Sequence, residues 1–394
     1  MEDLTLEEHL SPWARVEVAA RVKDPVSGAT HQFYKYPARF SPLFVRDVIE
    51  ALTDPGDFVF DPFFGGGTTL VEAGLLGRVS AGTDLNELAE FVARAKTTPL
   101  SSDDLRAVVS WFANLFDDYT IQTKTPRPEE AIAEGYQKHL TYRTTWRLRK
   151  LLEIADARVH ILTSADARQF ARCVILRTGQ WALDSRREIP NVAKFREKLR
   201  TNLDEMVAQA TGFANQANYV RPIICRRSAV GLEQDEAIKR LGAPKLILTS
   251  PPYPGVYVTY HRWKIQGRLE TAAPYWLAEC KDGSGMSYYT MGHRKQKGLT
   301  NYFGTIRACF RSIRAVCSKD TTVVQVVGFN DPEWQLLEYL DAMQDAGFAE
   351  VIPNTESSAD GRIWRDVPGR RWYALYQETA KSTSKEVVLI HRPR

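Results

Sequence analysis

Two short motifs, about 180 residues apart, carry the residue types that could do chemistry in this chain. Residues 61–69 read Asp-Pro-Phe-Phe-Gly-Gly-Gly-Thr-Thr, and residues 249–253 read Thr-Ser-Pro-Pro-Tyr. A glycine turn lets the backbone approach a ligand closely. Two adjacent prolines remove two N–H donors and leave rigid carbonyl acceptors beside a hydroxyl and an aromatic ring. The first motif therefore predicts a ligand-binding turn, and the second predicts a cluster of hydrogen-bond acceptors.

The glycine motif follows an apolar run and precedes a helix start, so it lies at the carboxyl end of a predicted strand, where open α/β sheets bind ligands. It has no Lys for a P-loop, and Leu70 stands where a dinucleotide fingerprint needs its third glycine. Asp84 ends the next strand, where a carboxylate would accept hydrogen bonds from both ribose hydroxyls. These features favour a nucleoside without phosphates, as in S-adenosylmethionine.

The second motif suits a substrate with an exocyclic amine, whose lone pair is delocalised into the base and is a poor nucleophile. Acceptors around the amine hydrogens favour pyramidalisation and stabilise the charge that develops on nitrogen. Ser250 and the carbonyl of Pro251 fit that role, and Tyr253 could stack on the base. Either motif alone could be an ordinary turn; both on one sheet favour a shared site.

The pattern of apolar runs predicts the elements that must position these motifs. Strand-like runs alternate with helical segments, which predicts an open, doubly wound α/β sheet. The runs cover residues 56–61, 79–84, 221–225, 245–249, 322–327 and 386–390, with helices from Thr68, over 302–316 and over 334–346. Residues 101–215 are predicted to be a helical insertion, and residues 255–300 a polar loop.

Together the motifs closely resemble the amino-methyltransferase branch of DNA methyltransferases. The resemblance implies a Rossmann-like class I S-adenosylmethionine methyltransferase sheet, split into residues 1–100 and 216–394 around a 101–215 insertion that could recognise the target. Residues 34–42 look like the family's N-terminal motif, which closes over the cofactor. The cofactor-binding residues implied are Tyr36, Phe40, Asp61, Pro62, Phe63, Gly65, Gly67, Thr68 and Asp84. The catalytic residues implied are Ser250, Pro251, Pro252 and Tyr253.

The chain departs from the family pattern after its third strand, where an acidic residue often lies near the cofactor adenine. Arg227 or Ser228 occupies that place here. Asp166 is an acidic alternative, but a favourable charge at a helix N-terminus explains it more simply. That contact is left unassigned.

The expected reaction is direct methyl transfer to the amine of a base flipped out of the duplex, at N4 of cytosine because Ser-Pro-Pro-Tyr is similar to the N4-cytosine enzymes. C5-cytosine chemistry would need a nucleophilic Cys, usually after a Pro, and no cysteine follows one. Residues expected to hold the base or the displaced strand are Tyr257, Tyr260, His261, Arg262 and Trp263. Residues expected to contact phosphates are Arg262, Lys264, Arg268, Arg294, Lys295 and Lys297.

Several alternatives stay open at this point. N6-adenine methylation and RNA base methylation use the same type of tetrad. A catalytically silent DNA-binding module would keep the fold without turnover, although both motifs are intact. A nicotinamide dehydrogenase shares the fold class, but Leu70 argues against it.

Composition agrees with a globular intracellular protein that contacts nucleic acid. The net charge is only +4, but residues 138–205 hold 15 Lys and Arg against 8 Asp and Glu. The five scattered cysteines form no CxxC pair, which argues against disulfides and a zinc site, so no metal is expected. No apolar run approaches the roughly 18 residues of a membrane span. The family resemblance, not the composition, implies double-stranded DNA as the partner, a cognate restriction endonuclease, and a place in the cytoplasm of a bacterium or archaeon, at the nucleoid.

Overall fold

A computed structural model of the chain describes most of its residues. The described ranges are 11–22, 27–36, 40–120, 122–124, 128–255, 262–267, 269–283, 289, 291–292, 296–355, 358–366 and 385–394. Within them, no helix is both long and apolar enough to cross a membrane. The same ranges hold no group of three His, Cys, Asp or Glu side chains placed to bind a metal ion.

Within the part of the chain that the structure describes, the central sheet has eight strands in the order β3-β2-β1-β4-β7-β10-β8, with β9 pairing to β10. β1, β2, β3, β4 and β7 pair in parallel, and β10 is antiparallel to its neighbours. The strands are β1 (Phe58–Asp61), β2 (Val79–Asp84), β3 (Ile223–Arg226), β4 (Leu246–Thr249), β7 (Thr322–Gly328), β8 (Phe348–Glu350), β9 (Ile363–Asp366) and β10 (Lys385–Pro393). This confirms the predicted Rossmann-like α/β sheet, whose strand order reverses between β1 and β4, the position where such sheets bind ligands.

Several of the described helices begin directly after a residue whose side chain caps the first turn. Asn86, Ser101, Ser164 and Asn191 each accept a backbone N–H of the helix that follows. The helices are α1 (Pro12–Ala20), α2 (Pro42–Leu52), α3 (Thr68–Leu75), α4 (Glu87–Thr97), α5 (Ser102–Asn114), α6 (Glu129–Ala133), α7 (Trp146–Arg158), α8 (Ala165–Leu183), α9 (Val192–Ala214), α10 (Glu236–Lys239), α11 (Ala273–Leu277), α12 (Gln296–Ala315) and α13 (Pro332–Asp345). The predicted helical run between residues 101 and 215 is confirmed by α5 to α9.

Adjacent residues of the buried strands serve opposite faces of the sheet, because side chains alternate along a strand. Val59 belongs to the apolar cluster that includes Phe44 of α2, and Phe60 belongs to a separate cluster that includes Phe310 of α12. A third apolar cluster contains residues of helices α4, α5, α7, α8 and α9 together with the segment around α11. The division of the chain into a catalytic domain and an inserted domain stays a prediction.

The polar loop predicted over residues 255–300 is wrong in part. This stretch contains a two-stranded hairpin, β5 (Trp263–Ile265) and β6 (Leu269–Thr271), followed by α11. Trp263, Ile265 and Tyr275 are almost fully buried there. Trp263 and Ile265 are separated by a polar residue, so the hairpin shows no continuous apolar run, whereas Tyr275 lies in the short apolar run of residues 272–278.

Candidate active site

The glycine motif forms a tight turn between β1 and α3. Gly65 and Gly67 have positive φ angles of 48° and 75°, which side chains with a Cβ rarely adopt. A Cβ on Gly66 would lie 2.9 Å from Cβ of Tyr36, so only glycine lets Tyr36 rest against the turn. The backbone of the turn is therefore covered by an aromatic residue from the N-terminal motif.

Asp84, at the end of β2, faces this turn. Its carboxylate accepts the N–H of Gly65 through Oδ2 and the N–H of Asn86 through Oδ1, both at 2.9 Å. Burial raises the pKa of Asp84 to about 6, against the lowering effect of these backbone donors. A carboxylate held in this way is oriented to accept further hydrogen bonds from a ligand in the adjoining cavity.

Asp61, at the end of β1, connects the two motifs. Its Oδ1 accepts the hydroxyl of Thr249 at 2.6 Å and the N–H of Phe63 at 3.1 Å. Burial raises the pKa of Asp61 to about 6, opposed chiefly by hydrogen bonds from Thr249 and Thr69. Residues 188 positions apart in sequence thus meet at one edge of the sheet.

We expect Thr249→Val to lower the free energy of unfolding by about 1–3 kcal/mol, because it removes the shortest of the hydrogen bonds to the buried Asp61 carboxylate. Urea denaturation measures this change. Thr201→Val removes a hydroxyl that bonds Glu197 on an exposed face of α9, and should change stability by less than about 0.5 kcal/mol. Equal losses in the two variants would contradict the linking role of Thr249.

The Ser-Pro-Pro-Tyr tetrad lies next to Asp61, directly after β4. Ser250 Oγ lies 3.1 Å from both the Tyr253 hydroxyl and the carbonyl oxygen of Val326. Among the residues that the structure describes, the Pro251 carbonyl has no hydrogen-bond donor, whereas the Pro252 carbonyl accepts the Tyr302 hydroxyl at 2.6 Å. The tetrad therefore presents a hydroxyl and an uncommitted carbonyl oxygen.

One cavity of about 490 Å³ adjoins both motifs. Its volume falls within the range that accommodates a nucleoside-sized ligand. The predicted site residues that line it are Tyr36, Phe40, Asp61, Pro62, Phe63, Gly65, Thr68, Asp84, Ser250, Pro251, Pro252 and Tyr253. Gly67 does not line it: a Cβ there would meet Ala93 of α4 at 3.0 Å, so this glycine allows helix packing.

Other lining residues were missed by the motifs. Arg227 and Ser228 follow β3, at the position that the sequence marked but left unassigned, while Asp166 lies in the first turn of α8 and does not line the cavity. Arg227 donates to Asp235 at 2.8 Å. Further lining residues are Asn86, Ala229, Tyr289, Met291, Asn301, Thr305 and Cys309. Asn86 could have been found as the N-cap after β2; Cys309 carries no sequence signal.

The structure corrects the expectation that Trp263 holds a flipped base. Its side chain is 1% exposed and donates to the Tyr34 hydroxyl at 3.2 Å. A Cβ on Gly179 of α8 would lie 2.6 Å from the ring, so the helix backbone packs directly on the indole. Trp263 is a core residue because its large apolar surface is covered from both sides.

Arg262 lies apart from the tetrad. It donates to Asp282 at 2.6 Å and lines a second cavity with Lys138 and His139. Tyr257, Tyr260, His261, Arg268, Arg294 and Lys295 lie outside the described residues, as does the side chain of Lys297. The position of Arg262 therefore does not support its expected contact with the flipped base. Phosphate contact by the basic residues predicted for that role stays a prediction; they are Arg262, Lys264, Arg268, Arg294, Lys295 and Lys297.

Comparison with known proteins identifies the N-terminal part of the chain. Residues 11–94 match the family model N6_N4_Mtase, described as "DNA methylase". Over 84 residues the chain is 36% identical to the Type II methyltransferase M.MvaI of Kocuria varians, which covers 21% of this chain and 18% of that protein. The chain thus spans about a fifth of the length of the curated relative it matches. The predicted resemblance to DNA amino-methyltransferases is confirmed for this segment.

Solved structures offer more distant likenesses. TrmN from Thermus thermophilus aligns with 93% of this chain and 53% of its own, with a TM-score of 0.35 and 12% identity. The rRNA methyltransferase AviRa from Streptomyces viridochromogenes aligns with 96% of this chain and 92% of its own, with a TM-score of 0.32 and 10% identity. At such identities these likenesses concern the fold alone.

Proposed function

We propose that the protein is an S-adenosylmethionine-dependent DNA methyltransferase that modifies an exocyclic amino group of a base, and that this group is N4 of cytosine. One observation carries the proposal: the glycine turn and the Ser-Pro-Pro-Tyr tetrad meet at the switch point of the sheet, joined by the Thr249–Asp61 hydrogen bond, and line one cavity. The family match over residues 11–94 supports it.

The residues around the glycine turn fit the cofactor. Asp84 would accept the ribose hydroxyls, since two backbone N–H groups already orient its carboxylate. Tyr36 and Phe40 supply aromatic surface, and Ser228 adds a polar group to the cavity lining. S-adenosylmethionine supplies an electrophilic methyl group when bound, and the side chains near Asp84 hold its nucleoside.

The tetrad supplies what an amine nucleophile needs. The Pro251 carbonyl and Ser250 Oγ can accept the two amine hydrogens, which raises electron density on nitrogen and stabilises its developing positive charge. These acceptors are fixed before the substrate arrives, because both prolines lock their φ angles and Ser250 is bonded to β7. Such preorganisation lowers the barrier without a covalent enzyme–base intermediate.

A duplex base must leave its stack to reach this cavity, so the proposal includes base flipping, at a cost of a few kcal/mol. Cytosine N4 is preferred over adenine N6 because the tetrad begins with Ser250. A role beside a restriction endonuclease is part of the same proposal, by analogy with the Type II methyltransferase that residues 11–94 match.

Methylation of plasmid DNA in the presence of S-adenosylmethionine, followed by single-molecule sequencing, tests this function. We expect modification at one recurring sequence, on cytosine N4. Matched DNA and RNA oligonucleotides carrying that sequence form the second arm. Transfer to RNA alone would refute the proposed substrate, transfer to adenine N6 would refute the base assignment, and binding of NAD in place of S-adenosylhomocysteine would refute the cofactor.

We expect the affinity for S-adenosylhomocysteine to fall as the pH drops below about 6, by up to about tenfold per pH unit. Burial raises the pKa of Asp84 to about 6, and ribose hydroxyls would bind its ionised form. Protonation therefore competes with binding, and the affinity should be constant well above that pKa. Calorimetry from about pH 5 to about pH 8 measures the profile, which spans the ionisation of Asp84.

Asp61 titrates in the same range, since burial also raises its pKa to about 6. Asp84→Asn is therefore the control: it should bind weakly at every pH with a flattened profile. An unchanged profile in this variant would assign the pH dependence to Asp61.

A further inference from the structure

The hydroxyl of Tyr253 has a partner that lies far outside the tetrad. It donates to Oε1 of Glu386 at 2.8 Å, across 133 positions of sequence. Glu386 is on β10 and only 9% exposed. Its other carboxylate oxygen lies 3.4 Å from Nε of Arg365 on β9, whose side chain is 5% exposed. A buried carboxylate is thus charge-compensated on one side and accepts the phenol proton on the other.

The direction of these hydrogen bonds follows from proton counting. A phenol carries one proton, and Glu386 is an acceptor when ionised, so the Tyr253 proton is committed to Glu386. Toward Ser250, the Tyr253 oxygen can then only accept. The single proton of Ser250 therefore goes to Tyr253 or to the Val326 carbonyl, each 3.1 Å away. The Ser250 lone pairs are left for the cavity.

We infer that Glu386, held by Arg365, is a positioning residue that keeps Ser250 Oγ a hydrogen-bond acceptor toward the substrate amine, acting through Tyr253. The inference rests on the proposed function, in which Ser250 receives an amine hydrogen. Without the Glu386 carboxylate, Tyr253 can donate to Ser250, and the hydroxyl of Ser250 can then turn its own proton toward the amine. A Ser250 hydroxyl that points its proton at the amine repels the amine hydrogens instead of accepting a hydrogen bond from them.

The position of the Tyr253 ring supports this role. A Cβ on Gly328, the last residue of β7, would lie 2.9 Å from Cε2 of Tyr253, so the ring rests directly on the strand backbone. The contact of its ring with Gly328 and the hydrogen bond of its hydroxyl to Glu386 both hold Tyr253 in place. The hydroxyl of Ser250 is held beside it rather than left to rotate.

A purely structural role for Glu386 is the competing explanation, and the chain contains a matched control for it. Glu350 on β8 accepts from Arg362 at 2.6 and 2.8 Å, and it does not line the cavity. Both glutamates pair with an arginine. Glu350→Gln therefore reports what the loss of a partly buried glutamate–arginine pair does to folding alone.

The experiment compares Glu386→Gln, Glu350→Gln, Tyr253→Phe and the double variant Tyr253→Phe/Glu386→Gln. We expect Glu386→Gln to lower kcat for DNA methylation by about 10-fold, less than direct removal of a charge-stabilising group. Its affinity for S-adenosylhomocysteine and its Tm should match those of Glu350→Gln. Because Glu386 acts through the hydroxyl, the double variant should be no slower than Tyr253→Phe alone.

A second readout does not depend on turnover. In protein labelled with ¹³C at tyrosine Cζ, the Tyr253 resonance is assigned by its loss in Tyr253→Phe. It should shift in Glu386→Gln and stay in place in Glu350→Gln, because only the first changes the hydrogen bond of the phenol.

Two kinetic results would overturn the inference: a kcat loss in Glu386→Gln no larger than in Glu350→Gln, or losses that simply add in the double variant. An inactive wild-type protein would overturn the proposed function instead. In that case the Tyr253 resonance still tests the hydrogen bond to Glu386. If the resonance does not shift in Glu386→Gln, the inferred donation from Tyr253 to Glu386 is wrong as well.

Discussion

Ser250→Ala should reduce methyl transfer by about 10²-fold or more, which is the usual effect of removing one preorganised group that stabilises transition-state charge. The alanine cannot accept the amine hydrogen. It also leaves the Val326 carbonyl and the Tyr253 hydroxyl without the bridge that Ser250 makes between them. Single-turnover kinetics at saturating DNA and cofactor isolate this effect on the chemical step.

Binding of S-adenosylhomocysteine to Ser250→Ala should remain within about threefold of wild type, because Asp84 and the glycine turn are untouched. Ser312→Ala is the matched control. Ser312 hydrogen-bonds the backbone through its hydroxyl, as Ser250 does, accepting the N–H of Gly231; it is buried and does not line the cavity. Full turnover in Ser250→Ala would show that the tetrad is not catalytic, whatever the protein binds.

Asp84→Asn should weaken cofactor binding more than turnover, the reverse of Ser250→Ala. We expect its affinity for S-adenosylhomocysteine to fall by roughly 10- to 100-fold, as expected for losing hydrogen bonds to a charged group. An amide has one acceptor oxygen and a donor nitrogen, whereas Asp84 uses both oxygens to accept from Gly65 and Asn86. One of those backbone donors, or a ribose hydroxyl, would then face an N–H group. Isothermal calorimetry measures the change.

The kcat of Asp84→Asn at saturating cofactor should fall much less than its affinity, because the substitution removes ground-state binding more than transition-state contact. Asp57→Asn provides the control, since Asp57 also accepts a backbone N–H, from Asp54, but at an exposed turn. If Asp84→Asn bound the cofactor as tightly as Asp57→Asn, the assignment of Asp84 to the ribose would be wrong.

The sheet and both motifs could be predicted from sequence because their signals are local. Short apolar runs fix the strands, and glycines and prolines restrict the backbone at the turns that follow. The runs ending at Asp61 and Thr249 therefore located β1 and β4, which the structure confirms. The short strand β9 was not predicted, since four residues with alternating burial make no clear run.

The region after the tetrad was predicted least well. Trp263 and Arg262 follow it closely in sequence, and that proximity suggested contact with the base. Packing decided otherwise, because α8 from the inserted segment covers Trp263 and Asp282 pairs with Arg262. Sequence distance predicts spatial distance only within one element, and here a hairpin carries the chain away from the cavity.

The sequence by itself determined that this protein has a glycine turn and an acceptor-rich tetrad on strands of one α/β sheet, because backbone restrictions act between neighbouring residues. Only the tertiary structure decided that Thr249 bonds Asp61 and that Tyr253 donates to Glu386. Those contacts depend on which strands become neighbours, and strand order is set by the packing of the whole chain. No local pattern at Glu386 distinguishes it from any other glutamate at the start of a strand.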